Sequence, residues 1–164
     1  MRATIVCLVA ALSSLALGAT AGTSSAGPRP CILMDRLVRS VLLSETEFTA
    51  TARGGALCRW ASKPAKGTVT STHQVLLNVF HETSAANARN DYQFLTKRNC
   101  SRIRVRGADA ACANAVDLGK ASSTRIVWLC GTYMGWLAEV GPGHFASLDE
   151  VRDDLASFLA RMPC

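Results

Sequence analysis

The chain predicts an α+β fold, an antiparallel sheet with packed helices in the order α-βββ-α-βββ-α, stabilised by disulfides. Three observations carry that reading. The stretch Arg125 to Val140, RIVWLCGTYMGWLAEV, holds two apolar runs rich in aromatic and β-branched residues, split by Gly131-Thr132. It reads as a β-hairpin with Gly131 at the first turn position, where positive φ is cheap only for glycine. Apolar residues recur at helical spacing near both ends of the chain, over 31–43 and 148–162. Six cysteines remain once an N-terminal targeting segment is set aside, and an even count in an exported chain reads as three disulfides.

Met1 to Ala21 reads as that targeting segment. Arg2 supplies a positive start, Ile5 to Leu17 is an apolar run of 13 residues, and Ala19-Thr20-Ala21 is an A-x-A site for cleavage before Gly22. The run is shorter than the roughly 20 apolar residues of a membrane span. Cys31 follows Gly-Pro-Arg-Pro rather than a lipobox, and Cys7 lies too early for one. The expectation is a soluble secreted protein, periplasmic or extracellular, with no stable membrane insertion after cleavage. Cleavage leaves 143 residues and lowers the formal net charge from +6 to +5. A chain of that length can bury roughly 68% of its unfolded surface in one domain, placed here at residues 31–164. Gly22 to Pro30, GTSSAGPRP, reads as a flexible leader of small residues and prolines.

The first helix is expected over Cys31–Leu43, with Pro30 suited to its first turn. Leu33, Met34, Leu37, Val38, Val41 and Leu42 form its apolar stripe, opposite Asp35, Arg36 and Arg39. Glu47–Arg53 and Ala56–Ser62 flank Gly54-Gly55, a two-residue hairpin signal. Cys58 and Trp60 share a face of the second arm, so Trp60 reads as a core residue over a disulfide. Thr72–His81 is a third strand. His73 and His81 share its face with Val75, Leu77 and Val79, but lie about 26 Å apart at strand rise, too far for one metal ion. Thr83 or Ser84 caps a second helix ending near Asn99, with Ala85, Ala88, Tyr92 and Leu95 as its buried stripe. Ala115–Leu118 is a short strand, Gly119–Ser123 a turn, and the Arg125–Val140 hairpin follows. Ile126, Trp128 and Cys130 on one face and Val127 and Leu129 on the other are all apolar, which places this strand centrally in the sheet. Gly141-Pro142-Gly143 breaks the chain. Ser147-Leu148-Asp149-Glu150 is a capping box opening the last helix, whose apolar face is Leu148, Val151, Leu155, Phe158, Leu159 and Met162. Asp149, Glu150, Asp153 and Asp154 crowd the positive end of that helix and read as its stabilisers.

Lys97 to Arg106, KRNCSRIRVR, is the most distinctive polar stretch. Its five cations, Lys97, Arg98, Arg102, Arg104 and Arg106, stand in ten residues without an acid. Arg102, Arg104 and Arg106 alternate, so an extended chain would present all three on one side. Such a run suits an anionic envelope component or an acidic protein. It also suits a solvated edge strand, where like charges discourage pairing with another sheet. Nucleic acid is not expected: no helix-turn-helix, zinc or aromatic RNA-binding motif accompanies the charge. No Cys-x-x-Cys or short-spaced Cys/His cluster signals a metal, and nothing calls for a cofactor.

Pro30-Cys31 at the start of the first helix, Cys58-Arg59-Trp60 on a strand, and Gly107-Ala108-Asp109-Ala110-Ala111 before a C-terminal hairpin and helix form a pattern. Over residues 30–164 it resembles the actinobacterial domain of unknown function 3558 family, and more distantly the extracellular sensor domains of mycobacterial receptor kinases. The chain departs from that family in lacking its common lipobox and in carrying Cys100, Cys112, Cys130 and Cys164 in addition. The resemblance implies a Cys31–Cys58 bridge and a non-enzymatic role in the envelope, with no catalytic residue to carry over. For the other four cysteines two pairings stand open. Cys100–Cys112 would close the arginine segment into a loop while Cys130–Cys164 ties the last helix to the sheet. Alternatively Cys112–Cys130 would bridge hairpin strands, leaving Cys100–Cys164.

No catalytic set is apparent. There is no G-x-S-x-G, and none of the three histidines stands in a nucleophile-elbow context. Glu45, Glu47 and Glu82 could supply paired carboxylates only through their separation in space. The expectation is a secreted, non-catalytic binding or sensing module contacting an anionic partner through residues 97–106. A secreted hydrolase inhibitor and a purely structural envelope protein are the alternatives.

Overall fold

The computed structural model describes residues 29–38, 45–50, 55–62, 73–97, 100–117, 121–142 and 147–164. Helix α1 (Arg29–Val38) precedes strands β1 (Glu45–Ala50), β2 (Ala56–Ala61) and β3 (Gln74–His81). Helix α2 (Ala85–Thr96) precedes β4 (Ser101–Ile103), β5 (Ala110–Asp117), β6 (Ala121–Cys130) and β7 (Tyr133–Pro142), and α3 (Leu148–Leu159) comes last. The strands form one seven-stranded antiparallel sheet in the order β1-β2-β3-β7-β6-β5-β4. The α+β class is as expected. The second run of strands has four members rather than three, because residues 101–103 pair with β5.

The central hairpin follows from its composition. Gly131 has φ +58° at the turn between β6 and β7, and β7 lies in the middle of the sheet between β3 and β6. On one face, Trp60, Val75, Leu77, Ile126, Trp128 and Leu137 pack in a single core with Met34 and Val38 of α1 and Val151, Leu155 and Phe158 of α3. Trp128 meets Phe158 edge-on, with ring centroids 6.0 Å apart. On the other face, Val127, Leu129 and Met134 pack with Ala88 and Tyr92 of α2. The sheet is therefore covered by two helices on one side and one on the other. None of the described helices is long and apolar enough to cross a membrane.

The helix caps act as their sequences imply. Ser84 Oγ accepts from the Asn87 amide at 3.1 Å, and Ser147 Oγ accepts from the Glu150 amide at 3.3 Å. The α2 stripe is narrower than expected. Ala88 and Tyr92 are buried, but Ala85 is exposed and Leu95 is 38% exposed. One helix alone on its side of the sheet meets it along a line rather than a wide face.

Two registers depart from local signals. Ala50 lies opposite Ala56, so the first hairpin does not have the two-residue Gly54-Gly55 turn. This pairing sets Phe48 opposite Cys58, where it meets Trp60 edge-on at 5.4 Å between ring centroids. The expected turn would have put Thr49 opposite Trp60 instead, and an odd shift exchanges the faces of a strand. Likewise Asp117 pairs with Ser122, so residues 121–123 belong to β6 and not to a turn. Leader and helix also differ in their boundary: α1 begins at Arg29, two residues before Cys31. The proposed signal peptide and the rest of the leader lie outside the described residues.

The disulfides join Cys31 to Cys58, Cys100 to Cys112 and Cys130 to Cys164, with Cα separations of 5.5, 5.5 and 5.2 Å. They tie α1 to β2, the entry of β4 to β5, and the end of β6 to the chain beyond α3. Strand register excludes the Cys112–Cys130 alternative. Cys112 faces Val127 across the ladder, so it shares the α2 face, while Cys130 belongs to the core under α1 and α3. A disulfide cannot pass through a sheet.

Candidate functional site

Residues 101–103 of the basic segment form one edge of the sheet among the described residues. Strand β4 has three residues and pairs only with β5, with Arg102 opposite Cys112. Val105 turns inward and is buried, so the strand ends there and the chain reverses at Arg106-Gly107. Gly107 has φ +86°, and a Cβ at this position would meet Leu159 Cβ at 3.2 Å. Both reasons suit glycine. Asp109 then anchors the segment to the central hairpin. Its amide donates to the Leu129 carbonyl at 2.8 Å, and its Oδ2 accepts from the Gly131 amide at 2.8 Å.

Helix α2 lies on the same side of the sheet as Arg102. Its buried residues Ala88 and Tyr92 seat it over β6 and β7, and its flank overhangs β4 and β5. Between flank and edge opens a groove of about 840 Å³. Arg89, Tyr92, Gln93 and Thr96 line it from the helix, Arg102 and Arg104 from the edge, and Asp109 from the loop. Its floor includes the Cys100–Cys112 bridge, Ala110 and Leu129. A second groove of about 400 Å³ lies between the edge and α3, lined by Arg104, Arg106, Arg152, Asp153, Ala156 and Ser157. Arg104 belongs to both.

Arg102, Arg104 and Arg106 are thus not on one side. The regular strand stops at Ile103, so the alternation that would align them does not continue. Arg102 with Arg104 faces α2, and Arg104 with Arg106 faces α3. Lys97 is exposed at the C-cap of α2 and lines neither groove. Arg98 lies outside the described residues. The groove instead gains Arg89, Tyr92 and Gln93, which the sequence reading did not place in a site. The spacing of 89, 92, 93 and 96 is that of one helical face, and this polar stripe flanking Tyr92 was the available signal.

Arg89, Arg102, Arg104 and Arg106 make no ion pair with any described residue. Arg152 differs: its guanidinium lies 2.9 Å from Asp149 and 3.4 Å from Asp153. Burial raises the Tyr92 hydroxyl above the ordinary phenol range, and the Arg102 charge works against that shift. Arg102 and Arg104 also fit a repulsive sheet edge. Arg89 does not, since it comes from a helix. Arginines that line one groove from two elements offer guanidinium forks, the kind of group that binds carboxylate or phosphate through paired hydrogen bonds.

A second polar feature lies under α3. Glu139 on β7 is 1% exposed, and its Oε1 has no hydrogen-bond partner among the described residues. Burial, with Asp154 and Glu150 nearby, pushes its carboxyl up to about 8. Burial and the charges of Glu150 and Asp153 raise Asp154 to about 6. No group of three or more His, Cys, Asp or Glu among the described residues is placed to hold a metal ion. His81 stacks on Tyr133, with ring centroids 4.2 Å apart.

No protein-family model matches the chain, and none of the curated proteins does. A crystal structure of a protein from Bacteroides thetaiotaomicron VPI-5482 is similar at 14% identity, over 69% of this chain and 41% of that one, with a TM-score of 0.35. The chain spans less than half the length of that protein, and a likeness at this level bears on neither fold nor function.

Proposed function

We propose that this protein is a secreted, non-catalytic binding module of the bacterial envelope that takes an anionic ligand in the groove between α2 and β4–β5. One observation carries the reading: three arginines without an ion pair among the described residues, Arg89, Arg102 and Arg104, line one groove from two elements. Arg102 and Arg104 come from the basic run, and Arg89 doubles the positive wall from the opposite side. The Cys100–Cys112 bridge and the Asp109 anchor hold that wall in place, so little ordering entropy is lost on binding. Export fits the A-x-A site at Ala19 to Ala21 and the three disulfides. The resemblance to the domain of unknown function 3558 family supports an envelope location, and membership in that family is part of the proposal.

Pyrophosphate is a suitable short probe, being compact and doubly bidentate. Calorimetric titration at low salt is expected to show saturable binding to the wild type. The Arg89→Ala/Arg102→Ala variant should bind at least about tenfold more weakly, since charge-assisted hydrogen bonds carry about 1.5–3 kcal/mol each. An unchanged affinity in that variant, with an unchanged melting curve, would overturn the reading.

A further inference from the structure

Resting on that reading, we infer that the ligand is a linear acidic glycan that runs from the α2 groove across the sheet edge into the α3 groove. Arg104 lines both grooves, so the two adjoin at the sheet edge, and a ligand that passes over Arg104 enters both. Along that path the cations follow in order: Arg89 and Arg102, then Arg104, then Arg106 and Arg152. The first four have no ion pair among the described residues. A small anion could engage one end of this path but leaves the other unneutralised. A chain with regularly spaced negative groups engages all of it, and each further contact is then made within an already bound molecule.

The groups between the cations select the kind of chain. A simple polyanion would meet carboxylates at Asp109 and Asp153, one in each groove. Those oxygens repel phosphate but accept hydrogen bonds from hydroxyls. Gln93 and Ser157 offer neutral polar groups beside them. Tyr92, largely buried under α2, also borders the first groove. Acidic groups that alternate with hydroxyl-rich rings fit this alternation of arginine with acceptor.

The test measures affinity for a galacturonate trimer, a galacturonate decamer and a polyphosphate of the decamer's charge, at about 0.15 M salt. The decamer should bind at least about tenfold more tightly than the trimer, through effective concentration at the second groove. Arg106→Ala should remove most of that gain while leaving trimer and pyrophosphate binding unchanged. Gln93→Ala should weaken both glycans by about threefold, the loss of one neutral hydrogen bond of about 0.6 kcal/mol. Equal affinity for trimer and decamer, or polyphosphate binding as tight as the decamer, overturns the inference. If pyrophosphate binds and galacturonates do not, the glycan inference fails while the anionic-ligand reading survives. If neither binds, both fail.

Discussion

The two faces of the sheet treat charge in opposite ways. Under α1 and α3, two helices seal the strands, and Glu139 is held there at 1% exposure. Desolvation disfavours its charged form, so the side chain keeps its proton at neutral pH. Under α2, a single helix packs mainly over β6 and β7, and the β4 edge is left open. Arg89, Arg102 and Arg104 line a groove there with no ion pair among the described residues. The difference teaches that helix coverage decides which charges are available to a partner. A sealed ionisable group becomes a stability term. The same kind of group beside an uncovered edge becomes a contact surface.

The largest expected effect lies on the sealed face. Trp128 is fully buried and meets Phe158 edge-on. Trp128→Ala should cost about 4 kcal/mol of unfolding free energy, the sum of lost transfer energy and the cavity left behind. Phe94 on α2 is 78% exposed, and Phe94→Ala should shift stability by no more than about 0.5 kcal/mol. Urea unfolding of both variants measures the contrast. Similar losses in the two would mean that α2 is packed as tightly as α3, and the comparison would break.

Glu139 sharpens the same contrast through pH. Its folded value, about 8, stands above its ordinary value of 4.5. The native state therefore holds a proton that the unfolded chain releases above pH 4.5. Stability from this group is fully present below about pH 4.5 and is lost as pH rises through about 8. Asp154 acts in the same direction over a lower window, from 3.8 to about 6. The wild type should lose up to about 1.4 kcal/mol per pH unit to Glu139 across its window. Glu139→Gln should flatten the curve above pH 6 and leave the variant more stable than the wild type at pH 8. Parallel curves from pH 5 to 8 would show that Glu139 is not sealed.

These contrasts also explain which parts of the molecule were legible in the sequence. The Arg125–Val140 hairpin was legible because burial on both faces writes itself into both alternating positions. Ser84 and Ser147 were legible as caps because capping is a local bond within four residues. The first hairpin register was not, since Gly54-Gly55 is a local signal while the pairing of Phe48 with Cys58 and Trp60 depends on a core built by distant elements. The basic run was visible at Arg102, Arg104 and Arg106, but not its division between two grooves, which follows from where β4 stops. Arg89 was invisible as a site residue because only the packing of Tyr92 aims that flank of α2 at the edge. Glu139 was not legible, because its burial depends on the position of α3.

The smallest expected stability change is the one the proposed site most depends on. If Arg102 is held for a ligand, its guanidinium contributes little to the folded state. It makes no ion pair among the described residues, lines one groove with Arg104 and Arg89, and is exposed rather than part of the core. Arg102→Ala should then leave the unfolding free energy within about 0.5 kcal/mol of wild type. Relief of repulsion among like charges would raise it at low salt, with the gain fading as salt screens the neighbours. A packing role predicts the reverse. The guanidinium stem would cover the Cys100–Cys112 bridge and Tyr92, and its loss would cost a salt-independent 1 kcal/mol or so, as expected when a long cationic side chain shields apolar surface. Urea unfolding of this variant at low and high salt separates the two. A salt-independent loss would make Arg102 part of the scaffold, and the open face would then differ from the sealed one less than its charges suggest.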